Sequence, residues 1–220
     1  MSALTFTLKV TAVRIDCRTL SPSRLHGLSA KDIAKLPLSN KKTVADIFDV
    51  TGSDSSQIMF NNTSAQLDYI GYKMKDGQIT IKGDAGDYLG AEMQGGTIIC
   101  SGNVGERAAD KMRRGILLID GNAGAYCCSR MIAGTVGIYG NVGSHLGYAL
   151  RRGTILLTKT SSLPATWLDC GIHSLPFLKL LFNAFKPLDS KFSSLDTTRV
   201  QRWMGEASQT GKGEILLFQD

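Results

Sequence analysis

The 220-residue sequence lacks the features that mark most membrane, secreted and zinc-binding proteins. It contains no run of eighteen apolar residues, so a transmembrane helix is not expected. Its first ten residues, MSALTFTLKV, lack the basic start and the apolar core of a signal peptide. Its five cysteines include no Cys-x-x-Cys pair, which argues against a disulfide framework or a zinc site. These absences predict a cytoplasmic protein without a membrane anchor.

Motifs of catalysis are also missing. His26, His145 and His173 are the only histidines, and they form no His-x-His or His-Glu-x-x-His pattern. The sequence has no P-loop, no Gly-x-Ser-x-Gly elbow and no dinucleotide-binding fingerprint followed by a helix. Asp87 and Glu106 lie nineteen residues apart, but the series continues as alanine and serine, so the carboxylate pair of a polysaccharide-cleaving enzyme is not sustained. We therefore expect no catalytic residue, bound metal or cofactor in this chain.

The net charge of +6 raises the question of a nucleic-acid partner. The sequence has no basic run, no zinc finger and no aromatic RNA-binding signature. The excess of positive charge is better suited to an acidic protein neighbour or an anionic ligand, and no nucleic acid is expected.

Glycine is abundant, at 24 of 220 residues, and a repeat explains the excess. Blocks of nineteen residues begin at Met74, Met93, Met112, Met131 and Leu150. Each block continues with a glycine and then with alternating apolar positions, which is typical of a half-buried strand. A Gly-(Asp/Asn)-x-Gly corner follows, and we expect its glycines to adopt the left-handed backbone that glycine tolerates. The corner glycines are Gly83, Gly86, Gly102, Gly105, Gly121, Gly124, Gly140 and Gly143.

A fixed period near twenty residues with strands and corners is typical of stacked coils. We predict a mainly β protein, a single-stranded right-handed parallel β-helix with coils about 4.8 Å apart. The left-handed hexapeptide type needs a period divisible by six, which nineteen does not satisfy. The repeated methionines should lie inside, and the amides of Asn103, Asn122 and Asn141 should bond from coil to coil. The predicted β-helix covers residues 57–160, between an N-terminal cap (1–56) and a C-terminal cap or subunit-contact segment (161–220).

Secondary structure outside the repeat follows from shorter patterns. Alternating apolar residues predict strands over 3–16, 43–50 and 213–218. Capping and apolar spacing predict helices over 29–35 and 197–207, and partly helical structure over 164–185.

Two outward rows of the repeat are candidate surfaces. Tyr88, Arg107, Tyr126 and His145 share one position of the block, where Arg107 is expected to make cation–π contacts in a stacked surface row. The second row is basic, and two interpretations remain open. It is either a solvated face or a docking surface for an acidic partner or a polyanionic cofactor tail. This basic edge consists of Lys111, Arg113, Arg114, Arg130, Arg151 and Arg152.

The glycine corners at nineteen-residue spacing resemble a domain shared by two families. One family is the large subunits of glutamate synthase, which carry the domain in their C-terminal part, and the other is the C subunits of formylmethanofuran dehydrogenases. The repeat alone does not decide between the two families. The segment SPSRLHGLSAKDIAKLPLSNKKTVADIFDV (21–50) resembles the lead-in of the second family. The segment LPATWLDCGIHSLPFLKLLF (163–182) resembles the tail of its bacterial branch, found in formyltransferase/hydrolase complexes. The resemblance covers about residues 4–185.

The resemblance implies a role in one-carbon oxidation. Such a complex passes formyl groups from tetrahydromethanopterin to a methanofuran-type carrier and releases formate. The implied partners are a zinc-dependent amidohydrolase-like chain, a formyltransferase chain and a chain like a molybdopterin subunit. The C subunit would be the β-helical, non-catalytic member, and the basic edge would steer the carrier's glutamate-rich tail or an acidic partner. The alternative is a stand-alone coupling domain like that of glutamate synthase.

Overall fold

The computed structural model describes residues 2–9, 13–159, 163–205, 207–209 and 211–219. These residues form a mainly β protein with few, short helices, which confirms the predicted class. The strands are β1 (Ala3–Leu8), β2 (Ile15–Asp16), β3 (Phe48–Thr51), β4 (Asp54–Thr63), β5 (Leu67–Asp68), β6 (Gln78–Gly83), β7 (Thr97–Cys100), β8 (Ile116–Ile119), β9 (Thr135–Ile138), β10 (Arg152–Leu157), β11 (Trp167–Ser174), β12 (Arg199–Gly205) and β13 (Lys212–Phe218). The helices are α1 (Pro22–Leu25), α2 (Ala30–Ala34), α3 (Val44–Ile47) and α4 (Phe177–Phe185), with 3₁₀ turns at Ser39–Lys41 and Lys191–Ser194.

Eleven of these strands form one mixed sheet that does not close on itself. Its order is β11-β12-β13-β10-β9-β8-β7-β6-β4-β1-β3, and β2 pairs with β5 in a separate small sheet. The five central neighbours from β6 to β10 are all parallel. The outermost pairs, β1 with β3 and β11 with β12, are antiparallel.

The nineteen-residue blocks stack in register. Ile79 pairs with Ile98, which pairs with Leu117, and the series continues through Val136 to Ile155. Isolated bridges between the corners follow the same spacing. The asparagine ladder is also present, because the side-chain oxygen of each of the first two asparagines accepts the backbone N–H of the next, at 2.9 and 2.8 Å. The four blocks of β6 to β9 therefore bond to their neighbours both along the strand and at the corner.

The interior of the stack is apolar, as the pattern predicts. Met93, Met112 and Met131 are fully buried, and so are Cys100 and Cys127. Burial raises the pKa of the Cys100 thiol to about 12. These cysteines therefore serve as small apolar side chains rather than as reactive thiols.

The left-handed backbone does not lie where we predicted it. Among the eight corner glycines only Gly83 has a positive φ. The others are required by close approach, because a Cβ on Gly121 would lie 2.5 Å from the carbonyl carbon of Gly102 in the coil below. Positive φ values occur instead at other positions of the nineteen-residue block, including those of Ala109, at 57°, and Lys111, at 54°.

The N-terminal residues extend the sheet beyond the first regular coil. β4 pairs in parallel with β6, but at an offset of twenty-one residues, with Ile58 opposite Ile79. β1 lies beside β4, and the rings of Phe6 and Phe60 stack with centroids 5.1 Å apart. Phe48 of the edge strand packs edge-on against both rings.

Two predicted elements are wrong. Residues 44–47 of the predicted strand form α3, because Thr43 and Asp46 make a capping box that begins a helix, and only Phe48–Thr51 is extended. Most of the predicted helix over 197–207 is strand β12 (Arg199–Gly205), since pairing with β11 and β13 overrides the local pattern, and residue 206 lies outside the described ones. The predicted helix over 29–35 is confirmed as α2, and the strand over 213–218 as β13. The strand over 3–16 is confirmed only at its ends, and residues 10–12 lie outside the described ones.

The C-terminal residues fold back over the outer face of the sheet. β13 pairs in parallel with β10, and α4 packs its buried Phe182 and Phe185 against that face. Leu118 points outward into this second core, whereas its neighbour Leu117 points into the first. The buried carboxylate of Asp120 holds the returning chain by accepting the Ser190 hydroxyl at 2.6 Å and the Lys191 N–H at 3.0 Å.

Candidate functional site

Stacking of the coils brings four residues of the basic edge together in one groove. Four of the six predicted residues line a cavity of about 330 Å³ together with Glu92 and Gln209. We call this cavity the basic groove, and its cations are Lys111, Arg113, Arg130 and Arg151. Arg114 and Arg152 do not line it, although both are exposed. Ile132 and Ala149 complete the wall with apolar surface.

The groove follows from the nineteen-residue period. The backbone N–H groups of Arg113, Ile132 and Arg151 each donate to the methionine carbonyl of the preceding coil, at 2.8, 2.7 and 2.9 Å. These three residues therefore form one column across three successive coils. Lys111, Arg130 and Ala149 form the neighbouring column, and each has a left-handed backbone with φ of 54° to 56°.

One arginine of the groove is held by a buried carboxylate. Asp110 is 4 % exposed, and both of its oxygens accept from the Arg130 guanidinium, at 2.8 to 3.1 Å. The Ser129 hydroxyl donates to the same carboxylate at 2.5 Å. This network fixes Arg130 and offsets its charge. Asp110 and Ser129 lie nineteen residues apart and therefore occupy equivalent positions in successive blocks.

The acidic wall of the groove is also partnered. Glu92 lies 3.5 Å from the Lys73 ammonium and accepts from the Tyr72 hydroxyl at 3.4 Å. The Tyr72 hydroxyl and the Glu92 carboxylate raise the pKa of Lys73. Within the described part of the chain, no carboxylate lies at ion-pair distance from Lys111 or Arg113. The described lining of the groove holds four cations and one carboxylate, that of Glu92.

A polar pocket of about 240 Å³ continues the groove along the stack. It shares Glu92, Lys111 and Arg130 with the groove and adds Arg18 and a group of tyrosines. The Arg18 guanidinium lies 3.8 Å from the centre of the Tyr69 ring, which stacks on Tyr88 at 4.6 Å. Arg18 was not predicted as a site residue, because it lies outside the repeat.

The predicted aromatic row is stacked over Arg107, Tyr126 and His145, whereas Tyr88 stacks on Tyr69. The rings of Tyr126 and His145 are parallel within 7° and 4.5 Å apart. The Arg107 guanidinium lies 4.5 Å from the Tyr126 ring on its other side. Tyr126 thus contacts both the Arg107 guanidinium and the His145 ring, while His145 itself remains exposed.

The described residues contain no group of three or more histidine, cysteine, aspartate or glutamate side chains placed to hold a metal ion. Asp87 is bound by Arg14 at 2.7 Å and accepts the backbone N–H of Glu106 at 2.8 Å, so its carboxylate is part of the coil structure. The same residues include no helix long and apolar enough to cross a membrane. The described residues that line the groove also include no nucleophile–base pair.

No family model matches the chain. The C subunit of the formyltransferase/hydrolase complex Fhc of Methylorubrum extorquens is 30 % identical over 76 residues, which are 33 % of this chain and 29 % of that protein. The C subunit of the tungsten-containing formylmethanofuran dehydrogenase 2 of Methanocaldococcus jannaschii is 50 % identical over 46 residues, 20 % of this chain and 17 % of that protein. The matched segments thus span less than a third of either relative.

Comparison of structures extends the likeness to nearly the whole chain. A chain in the crystal structure of the formyltransferase/hydrolase complex FhcABCD from Methylorubrum extorquens, determined with methylofuran, superposes with a TM-score of 0.62 and 28 % identity. The match covers 98 % of this chain and 100 % of that one. This chain is similar to the C subunit of the formyltransferase/hydrolase complex. The resemblance inferred from the sequence is therefore confirmed, and it extends beyond residue 185 into the C-terminal strands.

Proposed function

We propose that this chain is a non-catalytic structural subunit of a formyltransferase/hydrolase complex. The complex would move formyl groups between tetrahydromethanopterin and a methanofuran-type carrier and release formate. The observation that carries the proposal is the structural match over 98 % of this chain to a chain of FhcABCD. Both relatives are likewise named as C subunits, one of a formyltransferase/hydrolase complex and one of a formylmethanofuran dehydrogenase.

In this proposal the chemistry belongs to the partner chains. A zinc-containing amidohydrolase-like chain would hydrolyse the formyl amide, a formyltransferase chain would make the transfer, and a chain like a molybdopterin subunit would join them. The described residues of this chain supply a stacked, hydrogen-bonded body, which we propose is a right-handed parallel β-helix. A stiff repeat of this kind suits the task of holding other subunits at fixed distances.

We propose that the C-terminal segment, residues 161–220, contributes a contact with those subunits. Large apolar side chains remain exposed on β11 and α4, although the opposite side of α4 is buried in the second core. Leu168 and Leu180 are 63 % and 74 % exposed, and Ile172 and Phe177 are 52 % and 45 % exposed. Side chains of this size are more often covered than left in water when they occur together in one segment.

We propose that the basic edge is a second contact, serving an acidic partner or the anionic tail of the carrier. The support is the groove itself, in which four of its six residues converge. Each exposed ion pair contributes only about 0.2–1 kcal/mol, so several must act together. Binding at this edge should weaken with salt, because screening acts within about 8–10 Å at ordinary ionic strength.

An activity assay tests the non-catalytic assignment. The purified single chain should neither hydrolyse nor transfer formyl groups, because no nucleophile–base pair is present in its described residues. Turnover by the single chain that is lost in His145→Ala would contradict the proposal. His145 is the appropriate choice because it is an exposed histidine of the aromatic row, and its substitution is not expected to unfold the protein.

A further inference from the structure

We infer that the outer side of α4 binds an amphipathic helix of a partner chain, one with an apolar stripe and acidic residues beside it. The surface that binds consists of Phe177, Leu180 and Ala184, all exposed, and we call it the α4 strip. The inference rests on the proposed function, because it takes a partner chain to cover the C-terminal segment. It adds which element is covered and the chemistry of the segment that covers it.

The apolar surface of α4 is wider than the second core covers. Successive residues of a helix are offset by about 100°, so the apolar side chains of α4 span an arc of about 200°, from Leu180 to Phe182. The buried residues Leu178, Phe182 and Phe185 occupy about 60° of this arc. Leu181 packs partly against the second core, and the α4 strip makes up the remainder. Apolar residues at positions i, i+3 and i+7 form the kind of stripe on which another helix packs.

The polar side of α4 is basic. It carries Lys179 and Asn183, and Lys186 directly follows its last residue, whereas α4 itself contains no aspartate or glutamate. Among the residues that the structure describes, no carboxylate lies at ion-pair distance from Lys179 or Lys186. Lysines that flank an apolar stripe favour a partner helix with acidic residues at the matching flank. Charge complementarity therefore selects an acidic partner.

A second copy of this chain is poorly suited to the α4 strip. Two α4 helices packed on each other would bring lysines together, and neither helix would supply a carboxylate. A helix of this length measures only about 13 Å, so the contact would be a small part of the roughly 800 Å² per partner in a standard interface. The α4 strip thus suits one contact within a larger assembly rather than a dimer of its own.

Site-specific cross-linking in the host tests the inference. The photoreactive residue p-benzoylphenylalanine replaces Leu180 in the tagged full-length chain, and mass spectrometry identifies the cross-linked peptide. Ile172 is the matched control position, because it is an exposed apolar residue of the same segment but faces the other side of the sheet. It pairs with Gln201, which pairs with Leu217 of the first core, whereas α4 packs on the second core. We expect position 180, but not position 172, to reach a helix with apolar residues three and four apart and acidic residues beside them.

The affinity of the purified full-length protein for the chain so identified gives the magnitudes. Leu180→Gln should weaken binding about tenfold, because apolar area is lost from the contact. Lys179→Glu should weaken it about two- to fivefold, and replacement of the facing acidic residue by lysine should restore that loss. Ile172→Gln should change the affinity by less than about twofold. All three side chains are exposed, so thermal unfolding close to that of the parent is expected and separates lost binding from lost folding.

Several results would overturn the inference. They are no cross-link from position 180, a cross-link to a second copy of this chain or to a segment without acidic residues, and a loss in Lys179→Glu that charge reversal on the partner does not restore. Binding to vesicles that contain phosphatidylglycerol, if lost in Leu180→Gln, would assign the α4 strip to a lipid surface instead.

Co-purification keeps the proposed function distinct from the inference. If amidohydrolase and formyltransferase chains co-purify but position 180 does not reach an acidic amphipathic helix, only the inference about the α4 strip fails. If position 180 reaches such a helix in a chain that takes no part in formyl transfer or hydrolysis, and neither of those two chains co-purifies, the proposed function fails and the inference stands.

Discussion

Replacement of Gly121 by alanine should be among the most damaging single changes in this chain. A Cβ at this position would lie 2.5 Å from the carbonyl carbon of Gly102 and 2.8 Å from the backbone nitrogen of Asn103. Both atoms belong to the backbone of the coil below, which is held by the bond from the Gly121 N–H to the Gly102 carbonyl at 3.1 Å. Relief would need a shift of roughly 1 Å between two bonded coils, with a cost of about 3 kcal/mol or more.

Gly90→Ala is the matched control for this prediction. Gly90 has a φ of 63°, and a Cβ there would meet side-chain atoms at an ordinary 3.5 Å. The position one coil later is Ala109, which adopts a φ of 57° with its Cβ in place. An alanine in the left-handed conformation destabilises the folded state by about 1–2 kcal/mol. Alanine also restricts the unfolded chain more than glycine does, which offsets about 0.4–1 kcal/mol of this loss. The net loss should therefore be about 1 kcal/mol.

Urea and thermal unfolding of the two variants and the parent chain measure the difference. Close approach of the coils predicts that Gly121→Ala is far less stable than Gly90→Ala. If Gly121→Ala unfolds within about 0.5 kcal/mol of the parent, or if Gly90→Ala is the more damaged of the two, close approach is not the reason for the corner glycines.

Three further outcomes are expected. Asp120→Ala should leave the proton of the buried Ser190 hydroxyl without its acceptor, although the Ser190 oxygen still accepts the Phe192 N–H. The expected cost is about 1–3 kcal/mol, and limited proteolysis should cut the C-terminal segment before the repeat. Simultaneous cleavage of both would argue against the anchor. A thiol reagent should label Cys170 alone in the native chain, because Cys100 and the other cysteines are buried, and rapid labelling of a second site by mass spectrometry would contradict the packing. Asp110→Asn should lower the free energy of unfolding by about 1 kcal/mol or more, because the Arg130 guanidinium loses its counter-charge. An unchanged unfolding midpoint would show that this network adds little stability.

The repeat was predictable because its period, its apolar alternation and its corners all point to one structure. Successive blocks pair at the predicted offset, with the methionines inside. The reason for the corner glycines was not predictable from residue type, because glycine serves positive φ and close approach equally well. Only the backbone geometry at Gly121 distinguishes the two.

Prediction was weakest where tertiary contacts decide the structure. The segment of β12 has helix-like spacing, yet it is extended because β13 and β11 lie on either side. The apolar run of β8 is a sequence signal that a second layer, here α4, covers the outer face of the sheet. Within this run Leu117 and Leu118 face opposite cores. An uninterrupted run of this kind is typical of a strand that is buried on both faces.

The candidate site was predictable as a set of columns but not as a cavity. The nineteen-residue period placed the basic residues on one edge, and four of the six line the groove. Gln209 and Arg18 come from segments outside the repeat, so no spacing could assign them to the site. The ion pair between Asp110 and Arg130 can be recognised only from the positions of the side chains in the structure.

Affinity purification of the tagged chain from its own host tests the central claim most directly. We predict that an amidohydrolase-like chain and a formyltransferase chain co-purify in fixed proportion, and that formyl hydrolysis follows the assembled fraction rather than the free chain. Co-purification with a glutaminase in their place would contradict this prediction and would favour a coupling domain like that of glutamate synthase.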